Sequence, residues 1–221
     1  DFDGVIVDSE PAHFRAFAEA AKSIHYEFDY QHYLGAFVGF DDRDAFRAML
    51  RDRGHPPDER QIAQLCRLKH AAFERLIGKA VPTIPGAVPL IQESHGQLPL
   101  AIASGATMLD IELILGGLNL RDRFQIIVSA DHVGRSKPDP QTYVRAVEQL
   151  AVRYGELALS PRDCLAIEDT SIGIDSARAA GLLTLAVATT TPAAQLRTAH
   201  RVEPSLEGVT LARLREWFGT Q

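Results

Sequence analysis

The chain has 221 residues, longer than an average domain of roughly 100–200 residues and shorter than two of them. Hydrophobic residues make up 46% and charged residues 24%, which excludes a disordered, collagenous or disulfide-scaffold chain and leaves enough apolar material for a packed core. Twenty-three Lys and Arg against 29 Asp and Glu leave a net charge of -6, so the chain as a whole is not drawn to nucleic acid or anionic lipid, and a phosphorylated ligand would need local cationic compensation.

The first eight residues, Asp1-Phe2-Asp3-Gly4-Val5-Ile6-Val7-Asp8, read as an extended stretch in which Asp1 and Asp3 point the same way. Two carboxylates so placed repel unless something neutralises them. Either a divalent cation does so, or the segment is an exposed acidic terminus or a turn. From Pro11 to about Gly78 apolar residues recur at helical spacing: Phe14, Phe17, Ala18, Ala21 and Ile24, then Phe46, Met49 and Leu50, then Ile62, Leu65, Leu68, Phe73 and Leu76. This spacing predicts three or four helices. Pro11 suits a first helical turn, Gly54, Pro56 and Pro57 mark an internal break, and Pro82, Pro85 and Gly86 close the block.

Beyond Gly86 short apolar runs take over: Leu98 to Ala103, Gln125 to Ser129, Cys164 to Ile167 and Leu182 to Ala188. Each is continuous enough for a strand buried on both faces, and helical segments lie between them, which predicts a parallel sheet with right-handed crossovers. Thr107 with Asp110 is a capping-box signal, and Ser160, Pro161 and Asp163 are a second helix-start signal. Leu206, Val209, Leu211, Leu214, Trp217 and Phe218 read as a C-terminal helix docking on the core. Cys66 and Cys164, far apart and without a CxxC, read as packing residues of a reducing compartment. No run approaches the about 18 apolar residues of a membrane span, and the chain reads as cytoplasmic.

Three segments of this second half carry chemistry. Ser104-Gly105-Ala106-Thr107 follows an apolar run and opens a helix, as either an ordinary N-cap or an anion cradle. Lys137, in Ser136-Lys137-Pro138-Asp139-Pro140, stands just before a helix, where a cation opposes the dipole; it is either a solvated loop lysine or the counter-charge of an anion. Glu168 and Asp169, in Ile167-Glu168-Asp169-Thr170-Ser171-Ile172-Gly173, are adjacent acids between a strand and a helix. Ligands of parallel α/β sheets bind beyond the carboxyl ends of the strands, and these acids, Ser104 and Asp1 all fall there.

In this order the segments resemble the haloacid dehalogenase superfamily of phosphotransferases. DFDGVIVDSE is similar to its first motif, ASG to the second, SKPDP to the third and IEDTSIGIDSARAAG to the fourth, covering Asp1 to about Val187. The chain is most similar to the subfamily with a small helical cap, which includes beta-phosphoglucomutase and many sugar-phosphate and phosphoglycolate phosphatases. The resemblance implies an α/β fold: a Rossmann-like parallel sheet flanked by helices, built from residues 1–10 and 83–221, with a helical cap inserted at residues 11–82.

The resemblance also implies roles. Asp1 is the implied nucleophile, Asp3 the general acid and base, and Ser104, the Gly105 amide and Lys137 the phosphate ligands. Mg2+ is the implied cofactor, held by Asp1, the Asp3 carbonyl and Asp169, with Glu168 an outer or alternate ligand. The implied partner is a small phosphorylated metabolite, with neither nucleic acid nor membrane. His13, Arg43 and Lys69 match positions where sugar-phosphomutase relatives place substrate-contacting cap residues, and opening and closing of the cap is expected to admit substrate and exclude water. Arg43 follows Asp41 and Asp42 at an apparent helix start, so a surface pair is its alternative; for His13 it is packing beside Phe14 and Phe17 or exposure.

Three functions follow: a magnesium-dependent phosphatase, a phosphomutase of the beta-phosphoglucose type, and a catalytically silent binding protein on the same fold. Asp3 argues against the dehalogenase and phosphonatase branches, where that position is not a catalytic Asp. The mutase relatives carry a lysine shortly after the second-motif serine, whereas Gly105, Ala106 and Thr107 stand here, which favours hydrolysis; the cap matches favour the mutase. Every core catalytic position is present, which disfavours the silent protein. The chain starts at Asp1 without Met, and a nucleophile at the end of a strand needs about five or six residues before it, so a short apolar segment and the initiator Met are expected to precede it.

Overall fold

The structure, a computed structural model, describes residues 1–38, 40–54, 56, 58–77 and 81–219. Pro57, predicted to mark an internal break, and Gly78, the approximate end of the helical block, lie outside the described residues. The chain divides into two compact units: Ser9–Val81, and Asp1–Asp8 together with Pro82–Gln221.

The Ser9–Val81 unit is helical, with α1 (Glu10–Ala21), α2 (Tyr30–Ala36), α3 (Asp42–Asp52) and α4 (Glu59–Ile77). Pro11 sits in the first turn of α1, where its missing N–H costs nothing. Asp29 and Asp41 start α2 and α3 by accepting from the His32 and Asp44 amides, each at 2.8 Å. Phe17, Tyr33, Phe46, Met49, Leu50, Ile62 and Leu65 form the buried core between these helices.

On α4 the helical spacing misplaces two residues. Leu68 and Leu76 are exposed, and the buried stripe runs Ile62, Leu65, Lys69, Ala72 and Phe73. A lysine thus takes the place the pattern gives to Leu68. Its ammonium is tolerated there because Asp42 lies 2.8 Å away and because the rings of Phe17 and Phe73 face it at 5.0 and 4.8 Å.

Cys66 packs beside the same core, and burial, followed by the charge of Asp42, pushes its thiol up to about 12. At about 12 against the ordinary 9.0, very little of this thiol is ionised near neutral pH. Native Cys66 should therefore react with iodoacetamide at pH 8 at least about tenfold more slowly than in guanidinium. Peptide mass spectrometry of timed samples reads this; equal rates would contradict it.

In the other unit the named strands pair in parallel, and an isolated antiparallel bridge joins Val7 to Thr83. β1 (Ala101–Ala103) lies beside β2 (Ile126–Val128), with Ala101 opposite Ile126. β3 (Leu165–Glu168), β4 (Leu183–Val187) and β5 (Arg201–Glu203) form a second group in that order. The helices α5 (Ala87–Ser94), α6 (Met108–Leu118), α7 (Gln141–Arg153), α8 (Ser171–Ala179) and α9 (Leu211–Phe218) accompany them. α6 and α8 are the crossovers that the β1–β2 and β3–β4 pairings require, and α7 connects the two strand groups. The inward face of α7, with Tyr143, Ala146 and Val147, packs in one apolar cluster with Ala103 of β1, Val128 of β2, Ala166 of β3 and Ala177 of α8, which ties the two strand groups together.

Four readings of the sequence are corrected here. The run Phe2–Val7 is a tight turn, not an extended stretch: Gly4 has φ 73° and the Ile6 amide donates back to the Phe2 carbonyl at 2.8 Å. Ser160, Pro161 and Asp163 make a single 3-10 turn at Pro161–Asp163 instead of starting a helix, because the apolar run of β3 begins directly after it. The first predicted strand shortens to Ala101–Ala103; Pro99 has no N–H to give, and the Leu100 amide turns to the Gln125 side chain at 2.8 Å. β5 escaped the sequence reading, being three half-buried residues, two of them charged, at a sheet edge. It is pinned by Thr184, whose hydroxyl accepts from the His200 amide at 3.1 Å.

α9 docks as expected through Leu211, buried, with its amide donating to Glu93 of α5 at 3.0 Å. Trp217 is only half-buried, and the guanidinium groups of Arg201 and Arg213 lie over its ring at 3.6 and 4.7 Å.

Candidate active site

Asp1 lies beside the carboxyl end of β3, its nitrogen donating to the Ile167 carbonyl at 2.8 Å. Gly4 then turns the chain sharply, and only glycine fits there: at φ 73° any side chain is strained, and a methyl group would overlap the Asp169 carboxylate. The turn that carries Asp1 and Asp3 is thereby held against Asp169. Thr189, just past β4, fastens it by donating to the Gly4 carbonyl at 2.5 Å.

Glu168 is the last residue of β3, fully buried, and Asp169 follows it, nearly so. Thr170 accepts from the Gly173 amide at 3.1 Å and starts α8, which fixes the strand-to-helix turn. One carboxylate oxygen from each of Asp1, Glu168 and Asp169 lies within 4.8 Å of the others. Lys137 is buried with them, its Nζ 2.6 Å from Glu168 Oε1 and 3.1 Å from Asp1 Oδ1. Two carboxylates, not the dipole of α7, therefore hold this lysine. Its loop is anchored to α8 by Ser176, whose hydroxyl donates to the Asp139 carbonyl at 2.7 Å.

Burial alone would raise the pKa of Glu168, but the charge of Lys137, with hydrogen bonds from Lys137 and Tyr143, holds it below the ordinary 4.5. Tyr143 donates to Glu168 Oε1 at 2.5 Å, and its own hydroxyl is pushed well above 10.0, first by burial and then by the Glu168 charge. Glu168 Oε2 is buried with no hydrogen-bond partner. Three carboxylates around one ammonium, with an orphaned buried oxygen among them, suit a hard divalent cation such as Mg2+, which takes oxygen donors and offsets their repulsion.

Ser104 stands at the end of β1, buried, its amide bonded to the Val128 carbonyl at 2.9 Å. It is not the helix N-cap. Thr107 takes that part, accepting from the Asp110 amide at 3.2 Å, while Ser104 Oγ accepts from the Ala106 amide at 3.0 Å and keeps its hydrogen to donate. Beside Gly105 the space where a side chain would stand is open.

In the helical unit the three candidate substrate residues separate. His13 stacks on Phe73 at 4.0 Å, and Lys69 lies over the same ring, so these two meet. Arg43 is half-exposed and ion-paired with Glu59 at 2.5 Å, an acid it shares with Arg47.

Two side chains at the first site had no signal read from the sequence. Tyr143 hides in the apolar stripe of α7, where a ring reads as packing. Thr189 follows the fourth strand, and the strand-end rule that marked Ser104 would have marked it too. A further glycine matters here. A methyl group on Gly173 would overlap the Glu168 carboxylate, so Gly173→Ala should cost about 1–3 kcal/mol of stability in urea unfolding. A stability equal to that of the wild type would mean that the carboxylate can move.

A parallel α/β unit whose strand ends gather three carboxylates and a buried lysine has the layout of an enzyme site for a charged ligand. The sequence pattern of the haloacid dehalogenase-like hydrolases matches residues 1–187, and the chain belongs to that family. It is 30% identical over 185 residues to the fructose-1-phosphate phosphatase YqaB of Escherichia coli (strain K12), covering 82% of this chain and 90% of that protein. To the beta-phosphoglucomutase of Bacillus subtilis (strain 168) it is 29% identical over 194 residues, covering 85% of this chain and 80% of that one. The crystal structure of a beta-phosphoglucomutase from Clostridium difficile matches with a TM-score of 0.87 over 99% of this chain and 95% of its own; at 21% identity the likeness shows the shared fold. The chain is thus an enzyme of a hydrolase family whose members similar to it include a phosphatase and a phosphomutase.

Proposed function

We propose that the protein is a magnesium-dependent phosphatase that hydrolyses a small phosphorylated metabolite, of the sugar-phosphate or phosphoglycolate type, through an aspartyl-phosphate on Asp1. The observation that carries this reading is the cluster of half-buried Asp1 with buried Glu168 and Asp169, with Lys137 bonded to two of its members. In the first step an Asp1 carboxylate oxygen bonds to phosphorus as the ester oxygen leaves, and Asp3 gives that oxygen its proton. In the second step water attacks phosphorus, Asp3 takes the water's proton, and the bond to Asp1 breaks, which regenerates both residues and releases inorganic phosphate. Ser104, the Gly105 amide and Lys137 hold the phosphate oxygens throughout.

Asp1, Asp169, the Asp3 carbonyl and Glu168 would hold the Mg2+. When bound it supplies positive charge that lets an anionic carboxylate meet an anionic phosphate. Substrate choice is assigned to the helical unit, with His13, Arg43 and Lys69 its candidate residues; Asp42 and Glu59 hold two of these charges in place.

The likeness to beta-phosphoglucomutase supports a second reading, in which a sugar hydroxyl replaces water. Gly105, Ala106 and Thr107 stand where mutase relatives carry a lysine, and for that reason hydrolysis ranks first. The test is release of inorganic phosphate from fructose 1-phosphate, phosphoglycolate and beta-glucose 1-phosphate, with magnesium and with EDTA. Phosphate should appear with magnesium, stop in EDTA and resume on adding magnesium back. Glucose 6-phosphate formed in place of free glucose would select the mutase, and no turnover of any phosphate ester would overturn both.

A further inference from the structure

We propose that Tyr143 is a positioning residue for magnesium, whose hydroxyl decides which oxygen of Glu168 is left for the cation; this rests on the metal-dependent reading above. Packing explains the ring of Tyr143, since α7 turns it inward with Ala146 and Val147, and a phenylalanine would fill the same space. Packing does not explain the hydroxyl. It donates to Glu168 Oε1 at 2.5 Å, and Lys137 Nζ donates to the same atom at 2.6 Å. Both donors converge on one oxygen, and Oε2 is left buried with no hydrogen-bond partner.

A buried carboxylate oxygen without a partner is costly, and an arrangement that loads one oxygen and strips the other makes sense if the stripped one serves a cation. Lys137 cannot impose this alone, because it also serves Asp1 at 3.1 Å. The phenol has no second carboxylate in its reach among the described contacts, and its ring bounds the ammonium from 5.1 Å. On the far side Gly173 leaves the carboxylate just enough room. Glu168 is thus wedged between the start of α8 and a donor pair, with its orientation set by Tyr143.

The test is titration calorimetry of Mg2+ into the metal-free protein and into Tyr143→Phe, which keeps the ring and removes only the donor. Loss of an outer partner of a metal ligand should weaken magnesium binding about 10-fold to 100-fold, with KM for Mg2+ rising in parallel and circular dichroism confirming a folded variant. The same substitution in a Glu168→Gln background should change affinity by less than about threefold, because its effect runs through Glu168. A change of less than about threefold in the single variant overturns the proposal, as does an undiminished loss in the Glu168→Gln background. Wild-type protein that turns over phosphate esters without binding magnesium would instead overturn the metal-dependent reading on which it rests.

Discussion

Replacing Asp1 by Asn should lower phosphate release from p-nitrophenyl phosphate by about 10⁴-fold or more, with magnesium present and the fold intact. The amide is nearly isosteric, so what is lost is the anionic oxygen that forms the bond to phosphorus. Binding groups and phosphate ligands survive, and experience with other covalent catalysts places the loss from removing a nucleophile at this scale. Asp3→Asn separates the two steps. p-Nitrophenolate leaves without a proton, so the first step should proceed and the second should stall for want of a base, giving a burst of about one equivalent of p-nitrophenol followed by turnover lowered about 10²-fold to 10⁴-fold. Asp1→Asn should show no burst at all. Equal steady rates in Asp1→Asn and wild type would remove Asp1 from the mechanism.

Lys137→Met should cost the metal-free protein about 3–5 kcal/mol in urea unfolding, because it leaves a fully buried glutamate without its cation. The methionine preserves the shape of the lysine stem, so packing contributes little to the loss. The deficit should depend on pH, and the sign follows from Glu168. In the wild type its pKa is depressed, so the stability it contributes is present above the unfolded value of 4.5 and fades as pH falls through the lower folded value. Without Lys137 burial dominates, Glu168 takes up a proton more readily, and the variant loses the reason for its instability as pH falls. The gap between the two proteins should therefore be widest near pH 7 and narrow towards pH 4. A gap independent of pH would point to packing as the cause. Magnesium should also narrow it, since a cation among these carboxylates takes over part of the lost charge.

The acids and the serine of the site were legible in the sequence for a physical reason. Parallel α/β sheets present ligands at the carboxyl ends of their strands, and Ser104, Glu168 and Asp169 each follow an apolar run at once. The run is visible because a strand buried on both faces cannot interrupt its apolar residues. Strand β5 offered no such run, since an edge strand with an open side tolerates Arg201 and Glu203. On α4 the helical period was right in kind and wrong in phase. Lys69 occupies a core position that a count of apolar residues assigns to its neighbour, and the Asp42 that makes this possible comes from another helix.

Local sequence therefore determined the elements that a repeating pattern dictates: helices by their period and buried strands by their continuity. It also carried the four motifs by which the family is known. Tertiary structure decided the partnerships. Lys137 and Glu168 are 31 positions apart, and nothing in either segment says that one ammonium will serve both Glu168 and Asp1. Tyr143 reads as a core ring until α7 packs on β1 and β2 and its hydroxyl meets the Glu168 carboxylate at the end of β3. Charge pairing and hydrogen bonding act over a few ångströms of space, not along the chain, so which groups meet, and which oxygen of Glu168 is left over, depended on how the helices pack on the sheet.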